Sequence, residues 1–296
     1  MRNRSVRALS ALLALALAAC AGAAEQPAAR YLGTYTWKDR QRSFGGFSGL
    51  EVSSDGASFR AITDQGLTIE GRFNRQDGRI AGVENGRLQE LIGPDGIAIW
   101  RNEVRDAEGL AALPDGRFAV SFEGIHKVLM FDGPKRSVEL PQHPDFAALE
   151  TNASLEALAA DAQGVLYTLP EKSGKLNQAF PVYRYREGQW DVAFTIPRSG
   201  GFLAVGMDIG PDGRLYLLER AFDGFGFRTR VRSFAMTGGD LGPGRVLVQS
   251  TLREFDNLEG LGVWRDGSGA IRLTMISDDN FRRFQSTQFV EFAVTE

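Results

Sequence analysis

A short apolar segment, a polar turn and a second apolar segment recur along the chain, and this pattern predicts the fold. In the clearest copy, residues 110–113 and 118–122 flank the pair Asp115-Gly116. An Asp-Gly pair suits a hairpin turn because both residues tolerate positive φ angles. Apolar flanks of this length are too short for a helix and are typical of buried strands. The pattern therefore predicts a β-hairpin.

Five copies of this hairpin align on the glycine of the turn. Each copy runs from an apolar anchor to that glycine, and successive anchors are 60, 48, 49 and 54 residues apart. The anchors are Leu50, Leu110, Leu158, Met207 and Leu261. Such a period, with two further strand-like segments between copies, is typical of β-propellers. The sequence predicts an all-β propeller with five blades, and six blades are the alternative.

The last repeat is one strand short of a four-stranded blade. Residues 31–37 have the composition of a strand and precede the first repeat. An N-terminal strand placed in the last blade would remove an exposed sheet edge. We therefore expect this strand to close the ring, and residues 31–296 to form a single propeller domain.

The N-terminal segment has the pattern of a bacterial export signal. Three arginines precede a run of Leu and Ala over residues 8–19, which is shorter than an ordinary transmembrane span. The single cysteine, Cys20, follows Leu-Ala-Ala and resembles a lipobox, in which the cysteine is acylated. We predict a signal peptide over residues 1–19, lipidation at Cys20 and a tether over residues 20–30. Cleavage after Ala24 is the alternative, and neither leaves a cysteine pair for an internal disulfide.

The net charge and the predicted export signal limit the classes of partner that this protein could bind. Removal of residues 1–19 would leave 31 basic and 37 acidic residues, which argues against a general nucleic-acid binder. We expect a monomeric periplasmic protein that contacts the outer membrane through its lipid anchor only. Its partner would be a small phosphoester or an envelope protein.

Acidic residues recur at two positions of the repeat that a propeller brings to one face. The position before the inner strand holds Glu108, Glu156 and Glu259, with Ser48 and Val205 in the other two repeats. The position at the end of the second strand holds Asp64, Glu123, Glu171, Glu219 and Asp278. So many carboxylates repel one another unless cations neutralise them.

Two arrangements could neutralise these carboxylates. Hard cations such as Ca²⁺ bind carboxylate oxygens, so a metal site is one interpretation. A ring of ion pairs is the other, because cationic residues closely follow the acidic positions. These residues are Lys172, Arg220, Arg282 and Arg283.

Other catalytic motifs are poorly supported. Gly46-Phe47-Ser48-Gly49 lacks the spacing of a nucleophile elbow. His126 is a candidate acid or base near the same face, although a polar residue at the start of a strand is the simpler interpretation. Arg228, Arg230 and Arg232 alternate along a predicted strand, so we expect them on one solvated face.

Two segments resemble the bacterial family described as esterase-like activity of phytase. The first combines Phe44-Gly45-Gly46-Phe47-Ser48-Gly49-Leu50 with Ala61-Ile62-Thr63-Asp64-Gln65-Gly66. The second combines Asn257-Leu258-Glu259-Gly260-Leu261 with Ile276-Ser277-Asp278-Asp279-Asn280. Gln65 stands where an arginine is expected in the family's motif.

The resemblance implies a secreted propeller and calcium-assisted hydrolysis of a phosphoester. Under this hypothesis the acidic positions hold the cation, Glu156 and Glu259 take part in catalysis, and Lys172 and Arg220 bind the phosphate. The alternative hypothesis is a non-catalytic envelope lipoprotein that binds a ligand or a partner through the same face.

Overall fold

The computed structural model describes residues 28–101, 106–150, 153–175 and 177–295. These residues form five antiparallel sheets, one for each predicted repeat, so the five-bladed propeller is confirmed and the six-bladed alternative is not. The predicted signal peptide, Cys20 and most of the predicted tether lie outside the described residues. No helix in the described part of the chain is long and apolar enough to cross a membrane.

The strands follow one another from the centre of each blade to its edge. The N-terminal strand is β1 (Ala29–Thr36). Blade one contains β2 (Phe47–Val52), β3 (Ser58–Thr63), β4 (Leu67–Gln76), β5 (Arg79–Asn85) and β6 (Gln89–Glu90). Blade two contains β7 (Ala107–Ala112), β8 (Phe118–Phe122), β9 (Lys127–Phe131) and β10 (Ser137–Glu139). Blade three contains β11 (Leu155–Ala160), β12 (Leu166–Pro170), β13 (Phe180–Arg186) and β14 (Gln189–Ile196).

The last two blades complete the ring. Blade four contains β15 (Leu203–Ile209), β16 (Arg214–Phe222), β17 (Phe227–Thr237), β18 (Asp240–Leu241) and β19 (Arg245–Gln249). Blade five contains β20 (Asn257–Arg265), β21 (Ile271–Asp278), β22 (Gln288–Val294) and, at its edge, β1. Two 3-10 helices, Ile99–Arg101 and Pro144–Ala148, lie in connections between blades.

The N-terminal strand closes the ring as predicted. It pairs antiparallel with β22, from Ala29 opposite Val294 to Thr36 opposite Gln288. The strand begins two residues earlier than predicted, so residues 29–30 belong to blade five rather than to the tether. Arg75 of blade one donates two hydrogen bonds of 2.8 Å to Glu291 on β22, which ties the last blade to the first.

The hairpin turns between the first two strands are longer than the predicted two-residue loops. In blade one, the Ser53 amide donates to the Ser58 carbonyl, and Gly56 has a φ of 68°. The Asp55 carboxylate accepts from the Ala57 amide two residues on. The aspartates therefore stabilise the turns by bonding to the backbone, a role that asparagine and aspartate commonly have.

The inner strands β2, β7, β11, β15 and β20 pack tightly around the axis. Glycines allow this approach: a Cβ on Gly49 would lie 2.8 Å from the Cβ of Leu110, and a Cβ on Gly206 would overlap the backbone carbonyl of Glu259. The anchor side chains are buried and fill the centre. A cavity of only about 10 Å³ remains between these strands. The propeller therefore has a plugged axis, and any site lies at the mouth of this plug.

Candidate metal and active site

A β-bulge interrupts each inner strand at the same position of the repeat. Pairing with the second strand skips one residue between Phe47 and Gly49, between Leu155 and Ala157, and between Leu258 and Gly260. The same shift occurs in β7 and β15. The residues at the bulges are Ser48, Glu108, Glu156, Val205 and Glu259. Because a bulge redirects a side chain, it turns these residues toward the axis instead of into the sheet.

The second strands deliver their carboxylates to the same mouth. Asp64, Glu123 and Glu171 each come directly after the residue that pairs beside the bulge. Asp278 ends β21 and pairs with Asn257. The corresponding residue of blade four is Arg220, which pairs with Leu203. The structure therefore assembles seven of the eight predicted acidic residues around one arginine.

Three carboxylates form the centre of this group. One oxygen from each of Glu108, Glu123 and Glu156 lies within 4.8 Å of the others. Burial and the charge of Glu156 raise the pKa of Glu108 well above its usual range. Burial and Glu171 raise the pKa of Glu156 in the same way, and raise that of Glu123 to about 7. We name these three residues the carboxylate trio.

Arg220 neutralises the other side of the group. Its guanidinium donates to Glu171 at 3.0 Å and to the amide oxygen of Asn257 at 2.8 Å, and it forms an ion pair with Glu259. Burial acts to lower the pKa of Arg220, but these carboxylates raise it overall. Among the described residues, no lysine or arginine forms an ion pair with the trio. Arg220 therefore forms its ion pairs outside the trio and offsets the charge of Glu156 only in part.

Asp64 and Asp278 complete the mouth beside blades one and five. Burial raises the pKa of both carboxyls to about 7, with a contribution from Asp278 at Asp64 and from Glu259 at Asp278. Asp278 accepts from the Asn280 amide at 2.6 Å. The Oδ1 atom of Asp64 is buried and has no hydrogen-bond partner. Buried acceptors of this kind are rare unless water or an ion completes their coordination.

Glu219 does not belong to the site, and its prediction as a ligand is wrong. It pairs with Ala204, one residue out of phase with the other acidic positions, and a shift of one residue turns a side chain to the opposite face of a sheet. There it is fully buried and accepts from Arg230 and Arg232 at 2.7–2.9 Å. The expectation that these arginines are solvated is therefore also wrong.

The remaining candidate cations and histidines lie around the mouth. Lys172 places its Nζ atom 3.5 Å from Glu171 and is partly exposed. Arg282 and Arg283 are exposed on the loop after β21. His126 has a buried Nδ1 without a partner and a φ of 52° in the turn after Glu123. Of these four residues, Lys172 alone contacts the carboxylate group directly.

The sequence analysis missed two members of the site. Asp106 lies just before β7, and its charge raises the pKa of Asp64, Glu108 and Glu123. Asn257 begins β20 and donates to Glu259 at 2.9 Å. Both stand two residues before the bulged position, but the other repeats have Gly46, Ser154 and Leu203 there, so the repeat alignment carries no signal common to this position.

The sequence of this chain matches one known family along most of its length. The model of the phytase-like family, described as esterase-like activity of phytase, matches residues 42–281. The chain belongs to the phytase-like family. The match extends from the segment before β2 to the loop after β21, so the family region contains every residue of the carboxylate group. No curated protein sequence gave a significant match.

Solved structures are similar to this phytase-like protein over most of its length. A gluconolactonase from Xanthomonas campestris is 13% identical, covers 90% of this chain and 96% of its own, and has a TM-score of 0.51. A PQQ-bound aldose sugar dehydrogenase from Streptomyces coelicolor is 11% identical, covers 91% of this chain and 100% of its own, and has a TM-score of 0.48. At such low identity the similarity to the gluconolactonase concerns the fold alone.

Proposed function

We propose that this phytase-like propeller is a divalent-cation-assisted phosphoester hydrolase, with Ca²⁺ as the cation. The carboxylate trio carries the proposal, because three carboxylate oxygens within 4.8 Å of one another match the donors that hard cations prefer. The unpartnered Oδ1 of Asp64 is a further oxygen donor at the same mouth. The donor set therefore fits Ca²⁺, and Glu108, Glu123 and Glu156 would hold it.

Each part of the site would have a separate role. A bound divalent cation supplies charge that polarises a phosphoester and lowers the pKa of water. Asp64 and Asp278, with pKa values raised to about 7, would accept or return a proton near neutral pH. Lys172, which is partly exposed, would bind a phosphate oxygen.

Arg220 would serve as a positioning residue rather than as a phosphate ligand. Its donors already bond to Glu171, Asn257 and Glu259. These contacts hold Glu259 beside the trio and spare Glu171 and Glu259 the repulsion of their neighbours. This role replaces the phosphate contact that the sequence suggested for Arg220.

Calcium binding provides the direct test. Calorimetric titration of the chelator-stripped protein should show Ca²⁺ binding that Glu156→Gln weakens by roughly tenfold or more, since the change removes a charged ligand. Glu84→Gln, at an exposed residue of β5, is the matched control and should bind Ca²⁺ like the unchanged protein.

Hydrolysis is measured on the same samples with p-nitrophenyl phosphate and bis(p-nitrophenyl) phosphate. We expect a chelator to abolish phosphate ester cleavage and Ca²⁺ to restore it. Cleavage that continues in the presence of the chelator would contradict the proposed mechanism.

The alternative is a ligand-binding envelope lipoprotein without catalysis. The engagement of Arg220 by carboxylates favours this alternative, because it removes the most buried cation from the set available to a phosphate. Ca²⁺ binding without turnover of any ester would support it. Acylation at Cys20 and an outer-membrane location are part of both proposals, and mass spectrometry of the mature N-terminus tests them.

A further inference from the structure

We propose that the substrate carries an apolar group next to its anionic ester, and that a cluster of exposed phenylalanines beside the site binds this group. The cluster, which we call the phenylalanine rim, consists of Phe222, Phe225, Phe281 and Phe284. Their exposed fractions are 62%, 75%, 47% and 81%. This inference rests on the proposed function and adds the substrate class.

The phenylalanine rim lies on the face that holds the carboxylate group. Phe222 ends β16 and Phe225 follows in the turn to β17, whereas Phe281 and Phe284 lie in the loop between β21 and β22. Both loops follow second strands, and the ends of the second strands form the mouth of the site. The loop before β20 connects the two groups: Arg253 donates to the Phe225 carbonyl, and Asp256 accepts from Ser286.

Two chains of contacts join the rim to the site. On blade four, Phe222 stands two residues after Arg220 and therefore on the same side of β16. The Phe227 ring lies 5.0 Å from the ring of Phe222, and the Arg220 guanidinium lies 5.9 Å from the Phe227 ring. These contacts place Phe222 beside the Arg220 side of the mouth, so an apolar group on Phe222 would extend outward from an ester bound at the carboxylate group.

On the side of blades one and five, Phe281 reaches the site through Gly46. A Cβ on Gly46 would lie 2.6 Å from Oδ1 of Asp64 and 2.7 Å from the Phe281 ring. Phe281 and the unpartnered oxygen of Asp64 are therefore neighbours. Phe281 also has a φ of 51°, which is uncommon for a bulky residue.

The rim carries charges of both signs, with Asp223 between Phe222 and Phe225 and two arginines between Phe281 and Phe284. The arginines favour a substrate that is an anionic amphiphile. Arg282 and Arg283 are exposed between Phe281 and Phe284, and the Arg282 guanidinium lies 6.0 Å from the Phe284 ring. Contact between an exposed phenylalanine and an apolar group is favourable because it removes apolar surface from water. An arginine attracts a phosphate. A soluble phosphoester with an alkyl or aryl group satisfies both. A membrane surface fits less well, because the predicted lipid anchor precedes β1. This strand begins at the face opposite the rim, where Ala29 pairs with Val294.

Binding of non-hydrolysable phosphonates tests the rim separately from catalysis. We expect octylphosphonate to bind the Ca²⁺-loaded full chain roughly tenfold or more tightly than ethylphosphonate, because six further CH₂ groups contact the rim. In the triple variant Phe222→Ser, Phe225→Ser, Phe284→Ser, this ratio should approach one. Val138→Ser, at an exposed residue of the outer strand β10, is the matched control and should keep the ratio.

The outcomes separate the two proposals. If ethyl and octyl phosphate are both hydrolysed but the two phosphonates bind equally, the rim proposal is overturned and the hydrolase remains. If no ester is hydrolysed but the octyl preference is present and lost in the triple variant, the apolar subsite stands and the hydrolase fails. If the variant instead loses only its binding to phosphatidylglycerol vesicles, the rim is a membrane contact and the proposal is wrong.

Discussion

At the scale of single residues, the site is defined by one arginine that stands where the other repeats have an acid. Blades one, two, three and five have a carboxylate at the end of the second strand, whereas blade four has Arg220 there. The arginine divides the carboxylates into Glu171 and Glu259, which pair with it directly, and the trio, which forms no ion pair with it. A symmetric ring of five acids would lack this division, so under the proposed function Arg220 would direct a cation to the side of the mouth that holds the trio.

Replacement of Arg220 by glutamine tests this division. Removal of one partner from a buried ion pair is expected to lower the free energy of unfolding by about 3–5 kcal/mol at pH 8. The loss should be smaller at pH 5.5, because burial raises the pKa of Glu259 and protonation then removes part of its charge. Urea unfolding at both pH values measures the difference. Arg184→Gln, which breaks a more exposed pair with Asp191, is the control and should cost about 1 kcal/mol or less. Equal losses at Arg220 at the two pH values would contradict this account.

At the scale of strands, the bulge in each inner strand creates the site. The extra residue in the inner strand turns a side chain toward the axis, while the adjacent glycine lets neighbouring inner strands approach. Four of these strands have the glycine, and β11 has Ala157 in its place. Three of the five bulged residues are acidic, and they come together at one end of the plugged centre. These are Glu108, Glu156 and Glu259. The glycines therefore allow the inner strands to pack closely, and the bulges bring the acidic side chains together.

A methyl group at Gly206 should disrupt this packing. The Cβ of Gly206→Ala would overlap the backbone carbonyl of Glu259, which cannot move away as a flexible side chain could. We expect a loss of about 1–3 kcal/mol in the free energy of unfolding, together with weaker Ca²⁺ binding because Glu259 shifts. The control is Gly82→Ala in the edge strand β5, where the nearest atom lies 3.5 Å away. Denaturant unfolding and calorimetry provide the measurements; an alanine tolerated equally at both positions would refute the argument.

At the scale of the whole molecule, the assembled acids make stability depend on pH and on cations. No blade contributes more than three of these carboxylates, and burial in the assembled ring, together with the charges of neighbouring blades, raises their pKa values. The ring itself is held by β1 on β22 and by the Arg75–Glu291 pair between the first and last blades. Closure of the ring is therefore opposed by electrostatic repulsion between the carboxylates at the mouth.

The apo protein should be more stable at pH 5.5 than at pH 8. Burial raises the pKa values of Asp64, Glu123 and Asp278 to about 7, from the usual 3.8 for Asp and 4.5 for Glu. Between those values the folded state binds more protons than the unfolded state, so stability falls as the pH rises through 7. Ca²⁺ requires deprotonated ligands and should reverse the trend by raising Tm more at pH 8 than at pH 5.5. Thermal unfolding with and without chelator measures both effects. An apo protein that is more stable at pH 8 would contradict the assigned directions.

The sequence by itself determined the number of blades, the closure by an N-terminal strand and most of the acidic residues at the mouth. These follow from local signals that repeat: an apolar anchor, a turn and an acid at a fixed offset. The repeats were sufficient because every blade must bury the same two faces.

Only the tertiary structure decided which of those acids act together. The pairing register of β16 moved Glu219 away to Arg230 and Arg232 and put Arg220 into its place, because a one-residue shift reverses the face of every side chain. The bulges, the membership of Asp106 and Asn257, and the proximity of the phenylalanine rim also depend on contacts between blades. Such contacts join residues far apart in the chain, so no local pattern of polar and apolar positions contains them.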